Sequence, residues 1–185
     1  MTPAAAPPGA APATLAQVLD VLDALSAAGL APCLFGGWAK ELHGVWGHGL
    51  HHDVDVLVVT EDMASIDTFL AGRSADPAKR HAHKRGWWHE GVMVELFHVQ
   101  PALEGLVSDF YGHLRRPWLS PLGCTMRTPD GTVVDVVTAD NIAAYERDHP
   151  RIEDAFYAAF PAIRDEIVQR YGDLRMPYDK FFPAR

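Results

Sequence analysis

The segment Asp53–Thr60 (DVDVLVVT) constrains this chain more than any other. Beyond its acids it is β-branched and apolar, the make-up of a buried strand. Asp53 and Asp55 are two positions apart, so a strand projects both side chains from one face. Paired carboxylates repel each other and are costly to desolvate. The apolar run from Val56 to Val59 puts the start of this strand near a buried sheet end. A hard divalent cation resolves that conflict, because it takes oxygen ligands and cancels the paired charge. The bland alternative is two solvated acids at a loop–strand junction, and D-x-D alone does not choose between them.

The surrounding pattern sets the fold class. Leu15, Val18, Leu22 and Leu25 fall at helical spacing, with Thr14 as the cap and Gly29 as the stop. A short strand over 32–35 ends at Gly36-Gly37, a helix-like stretch covers 38–43, and 44–50 reads as a loop rich in Gly and His. After Asp53–Thr60 a helix runs to about Gly72 and a turn over 74–77 follows; strands are expected over 81–85 and 90–99. Residues 103–121 read as loop with short helices. Two strands, 123–128 and 132–137, flank the turn Pro129-Asp130-Gly131. Thr138 caps a helix to about Asp148, and a longer one is expected over 150–171, broken near Pro161. This order indicates an α/β or α+β domain with a mixed sheet flanked by helices and a helical C-terminal part. The expected division is an Ala/Pro-rich disordered tail over 1–13, a core over 14–137, and a helical segment over 138–185 packed on it, ending in an aromatic, proline-bearing stretch along the surface.

Two features turn the acidic pair into a candidate site. Gly36-Gly37 follows a strand and opens a helix, where free N–H groups and a missing Cβ suit a close triphosphate; a tight strand–helix turn is the plainer reading. Glu95 shares a strand face with Met93, Phe97 and Val99, so its carboxylate needs a partner or a raised pKa. A metal ligand, a general base, or a salt bridge to Lys84 or Arg85 all satisfy it. Asp135, in register with Val133 and Val137, is the reserve third acid.

Net charge enters here. The chain of 185 residues carries a formal charge of −8, which argues against a general grip on nucleic acid and suits a cationic substrate. Two cysteines, Cys33 and Cys124, make no disulfide framework. The N-terminal residues lack the basic start and apolar run of a signal peptide, and no stretch has the roughly eighteen apolar residues of a membrane helix. The expectation is a cytoplasmic monomer or homodimer with no nucleic-acid or membrane partner. Eight of the ten histidines fall within 43–52 and 81–98, without zinc-ligand spacing. Trp87-Trp88 reads as core packing or as a stacking platform for a base or sugar, and Arg115-Arg116 as surface.

Gly36-Gly37-Trp38-Ala39, then Gly44, then His51-His52-Asp53-Val54-Asp55 together resemble the signature of the small antibiotic nucleotidyltransferases. These are the aminoglycoside 2''-adenylyltransferases and lincosamide nucleotidyltransferases, within the polymerase-β-like superfamily. The resemblance implies that superfamily's fold, with Gly36 and Gly37 lining the triphosphate and Trp38, His51 and Lys84 on the nucleotide side. It implies that Asp53 and Asp55 bind two Mg2+ ions, with Glu95 as base or further ligand. The co-substrate would be ATP or another nucleoside triphosphate, and the acceptor a hydroxyl of a small molecule such as an antibiotic. Lys40 and Arg85 are further candidates for the leaving phosphates, with solvated surface charge as the plainer reading for them and for Lys84. Two positions depart from the pattern: Gly49 stands where relatives often carry arginine, and Glu95 where they often carry aspartate. The rival expectations are a silent nucleotide-binding module and a toxin-type enzyme that modifies a macromolecule.

Overall fold

The computed structural model describes residues 12–45 and 49–171. The tail over 1–11, part of the 44–50 loop and the stretch 177–185 therefore lie outside the described residues. Helix α1 (Leu15–Ala27) starts with a reciprocal capping box, Thr14 accepting from Gln17 N–H while the Gln17 side chain reaches back. Its stripe of Val18, Val21, Leu22 and Leu25 is buried against β1 (Ala31–Leu34). Ala13, on the tail side of the expected boundary, is buried too and donates its N–H to the His51 carbonyl at 2.6 Å. Helix α2 (Gly36–Leu42) follows at once, then β2 (Asp53–Val59) and α3 (Met63–Leu70). Asp62 caps α3 by accepting from Ser65 N–H, one or two residues later than the sequence suggests.

A 3-10 turn (Pro77–Lys79) leads into β3 (Lys84–His89), β4 (Val92–Ala102), β5 (Gly105–Phe110) and β6 (Leu114–Pro117). The chain closes with β7 (Gly123–Arg127), β8 (Val133–Val137), α4 (Ala139–Ala159) and α5 (Pro161–Tyr171). The sheet is mixed, in the order β6-β5-β4-β2-β1-β8-β7, with β3 also paired to β4. Strands β2 and β4 run parallel, and β1 pairs antiparallel with β2 and parallel with β8. Val54, Val56, Val58 and Leu57 are fully buried, so the sheet is covered on both faces along β2.

Three expectations change. Glu90 and Gly91 (φ +49° and +83°) do not begin β4; they form the two-residue turn of the β3–β4 hairpin, which needs both in the left-handed region. Strand β3 accordingly sits later than 81–85 and includes both tryptophans. The stretch 103–121 carries the turn of a β4–β5 hairpin and the whole of a β5–β6 hairpin, the latter turned by Tyr111 and Gly112 at φ +55° and +75°. Helix α4 runs straight through Pro150, because burial of Ile152 and Ala155 beyond it outweighs the one missing hydrogen bond. The break falls at Phe160 (φ −130°, ψ 64°), kept out of the helical region by the following Pro161.

Candidate active site

Register brings the acids together. Asp55 lies opposite Glu95, and Glu95 opposite Gly86, in one row across β2, β4 and β3. Asp53 is one step toward the strand start, level with Met93. Asp53 is exposed at the mouth and Asp55 half-buried behind it, whereas Glu95 is 7% exposed. Among the described residues no hydrogen-bond donor or cation is within bonding distance of either aspartate carboxylate. Burial, then the charge of Asp53 and of Glu95, pushes the Asp55 carboxyl well above its usual range. Burial and Glu95 push Asp53 the same way.

Glu95 goes the opposite way. Burial raises it, but Lys84 and Lys79 override that and hold its carboxyl down to about 2. Each oxygen takes one ammonium: Lys79 Nζ is 2.6 Å from Oε1 and Lys84 Nζ 2.6 Å from Oε2. Of the alternatives open for Glu95, the salt bridge to Lys84 is formed. Arg85 instead turns to Asp67 on the other side of β3 (2.7 Å).

The glycine pair answers to these side chains. A Cβ on Gly36 (φ +62°) would lie 2.0 Å from Asp55 Oδ2, and one on Gly37 would lie 2.5 Å from His51 Nδ1. Gly36 therefore lets Asp55 press against the start of α2, and Gly37 lets the imidazole do the same. Phe35 N–H donates to the Asp55 carbonyl at 2.9 Å, which ties the turn to β2. His51 Nε2 is 2.9 Å from Glu41 Oε2, and its ring lies 4.9 Å from Trp38. The same Glu41 oxygen accepts from Gly49 N–H at 3.1 Å, so one carboxylate moors the loop that enters β2.

No protein-family profile matches the sequence, and no curated protein does. Solved structures do. The crystal structure of the lincosamide antibiotic adenylyltransferase LnuA, lincomycin-bound, aligns with a TM-score of 0.59 at 11% identity, covering 78% of this chain and 97% of that one. A candidate nucleotidyltransferase from Thermotoga maritima aligns at 0.54 and 15% identity, over 85% of this chain and 96% of the other. The chain has the nucleotidyltransferase fold.

In this nucleotidyltransferase fold the acidic row, the glycine turn, Trp38 and His51 form one neighbourhood, and several other candidates fall outside it. Asp135 is solvent-exposed on β8 and accepts from the Thr125 hydroxyl (3.2 Å). Lys40 pairs with Glu146 of α4 at 2.7 Å. Trp87 is core, edge-on to Phe69, rather than a stacking platform. Arg116 is not surface: it is 2% exposed, stacked on Trp118 at 4.2 Å and held by Asp148. Around it Phe35, Trp118 and Tyr145 make an aromatic cluster at the rear of the site. Burial and nearby Asp55 push the Tyr145 hydroxyl up.

Sequence reasoning missed Lys79, Glu41 and Gly86. The last sits opposite Glu95, where a Cβ would meet Lys79 Cβ at 2.8 Å; an isolated glycine inside a strand was the available signal. Among the described residues no three His, Cys, Asp or Glu side chains converge as a ready-made ion cage, and both Glu95 oxygens are turned to lysines. No described helix is long and apolar enough to cross a membrane.

Proposed function

We propose that this chain is a Mg2+-dependent nucleotidyltransferase that moves a nucleoside monophosphate, AMP from ATP, to a hydroxyl of a small molecule and releases pyrophosphate. One observation supports it above the rest: within this fold, Asp55 and Glu95 stand opposite each other, with Asp53 at the mouth and Gly36 against Asp55.

The donor set fits divalent metal. Asp53 and Asp55 present unpaired oxygens in a place where burial disfavours bare negative charge, and an all-oxygen set suits Mg2+. Asp53 and Asp55 would hold the ions, and Glu95, opposite Asp55, would join them only after its lysines are displaced. Bound metal would stabilise charge on the attacking and leaving oxygens. The chain's own contribution is placement. The first turn of α2 has no side-chain cap, so its N–H groups at Gly36, Gly37 and Trp38 are available to phosphate oxygens. His51, fixed by Glu41, steadies that turn. Glu95, ionised at neutral pH, can accept the acceptor hydroxyl's proton once a lysine withdraws.

In this reading residues 14–137 carry the chemistry and the helices from 138 onward cover it. The acceptor is a small hydroxyl-bearing molecule; the net charge of −8 favours a cationic one, and the lincomycin bound to LnuA makes antibiotics the first class to try. The few cysteines suit a reducing cytoplasm.

The deciding assay combines the protein with Mg2+, each nucleoside triphosphate and an acceptor panel containing aminoglycosides and lincosamides, and follows pyrophosphate and product mass. A product heavier by one nucleoside monophosphate is expected. Tight Mg-nucleotide binding without product on any acceptor would make the chain a silent binding module. Label transferred from α-labelled nucleotide to a macromolecule would move the acceptor class instead.

A further inference from the structure

The two lysines on Glu95 are a built arrangement. Lys79 leaves a 3-10 turn capped by Asp76, which accepts from Ala78 N–H at 2.9 Å and donates its own N–H to the Gly86 carbonyl at 2.8 Å. Its stem then crosses β3 at Gly86, the one place in the row without a Cβ; an added Cβ would meet Lys79 Cγ at 3.0 Å. Lys84 arrives from β3 itself, 11% exposed. Two segments thus deliver one ammonium to each Glu95 oxygen, while Asp53 and Asp55 have no such partner. Three carboxylates against two ammoniums leave a deficit of positive charge on the aspartate side.

We infer that Lys79 and Lys84 are an internal counter-ion for the acidic site, holding Glu95 until a divalent cation arrives together with a triphosphate. This rests on the function proposed above. A bare cation must approach Asp55 against two nearby ammoniums that already occupy Glu95, and like charges at such range oppose it. A cation that brings phosphate supplies the lysines with a new anion, so Glu95 is released at little cost. The lysines therefore make metal loading depend on nucleotide, passing from Glu95 to the phosphates as the site fills.

Mn2+ alone, and Mn2+ with a non-hydrolysable ATP analogue, can be titrated into the full chain, with the Mn2+ retained by the protein on ultrafiltration measured against a protein-free control containing the same analogue. The wild type is expected to take Mn2+ weakly alone and well with the analogue. Lys79→Met and Lys84→Met should each tighten binding of bare Mn2+ about tenfold, one unit of charge at this range being worth roughly that much. Each should loosen binding supported by the analogue. Lys79→Arg, which keeps the charge but locks the carboxylate, should leave binding of bare Mn2+ as weak as in the wild type and loosen binding supported by the analogue. Gly86→Ala, which displaces the Lys79 stem, should shift bare Mn2+ binding as Lys79→Met does, by less. Arg80→Gln, next in sequence but paired with Asp67, should change nothing. Thermal melts run alongside establish that each variant is folded. Unchanged or weaker binding of bare Mn2+ in both Lys→Met variants, with normal wild-type loading, would overturn the counter-ion role and leave the proposed function standing. No Mn2+ bound by any form, with or without analogue, would overturn both.

Discussion

Two adjacent basic pairs, Lys79-Arg80 and Lys84-Arg85, are each divided between the two faces of β3, and the two carboxylates they meet differ in kind. On one face the lysines take Glu95. On the other the arginines take Asp67 of α3, with Arg85 Nε at 2.7 Å and Arg80 contacting both oxygens at 3.2 and 3.3 Å. Arginine's planar fork locks a carboxylate in one geometry, whereas lysine is a point charge on a flexible stem that can exchange partners. Asp67, its carboxyl lowered mainly by the Arg85 hydrogen bond, has no other acid to serve. Glu95 stands beside two unpaired aspartates. The arginine side fastens a helix to the sheet; the lysine side holds a buried acid in the row that carries Asp55.

The sharpest way to break this contrast is to remove one carboxylate from each side. Asp55→Asn should reduce nucleotide transfer by at least about 100-fold in the pyrophosphate assay, since it removes charge from the reacting centre. Asp67→Asn should leave turnover within about twofold, because its cost falls on the α3–β3 contact, on the opposite side of β3 from the acidic row. Equal losses in the two variants would erase the distinction between the faces.

Gly36→Ala comes next. Its Cβ would overlap Asp55 Oδ2 at a backbone angle that disfavours any side chain. The expected cost is about 1–3 kcal/mol in urea unfolding, together with loss of activity. Gly29, at φ +77° but with open space around it, should accept Ala at a cost of about 1 kcal/mol with activity retained.

Acidification separates groups near the lysine face. His81 and His83 are held down to about 4 and about 3, first by burial and then by Lys84. Folded values below the ordinary 6.5 mean the neutral rings are preferred in the native state. Their contribution is complete above pH 6.5 and is lost as pH falls toward about 4 for His81 and about 3 for His83. His81→Phe keeps the ring contacts to Tyr111 and Phe160 and should flatten the fall in melting temperature across that window. Glu95 loses its contribution further down, as pH drops from the ordinary carboxylate range toward about 2. The smallest effect belongs to Arg80→Gln, expected to cost under about 1 kcal/mol because Arg80 is largely exposed.

Much of the site was legible because it is local. Asp53 and Asp55 declare a shared face by their spacing, and Gly36-Gly37 marks a turn whatever it packs against. Glu95 was legible as a misfit, an acid in an apolar row. Its partners were not, since Lys79 lies sixteen positions away and reaches it only through a gap at Gly86. The hairpin in 103–121 was hidden because its turn uses Tyr111 at positive φ, a residue that seldom signals one. Pro150 misled for the opposite reason: a strong local breaker was overruled by packing on both sides of it.

The sequence by itself determined the acidic strand, the glycine turn before it, the capped first helix and the alternation of elements that calls for a mixed sheet. Each depends on residues a few positions apart, where backbone geometry alone sets direction. Only the tertiary structure decided that Asp55 and Glu95 share a row, that Gly36 is needed by Asp55 itself, and that lysines rather than arginines hold the third acid. Those outcomes depend on strand register, and register is set by the summed burial of whole strands rather than by any local signal.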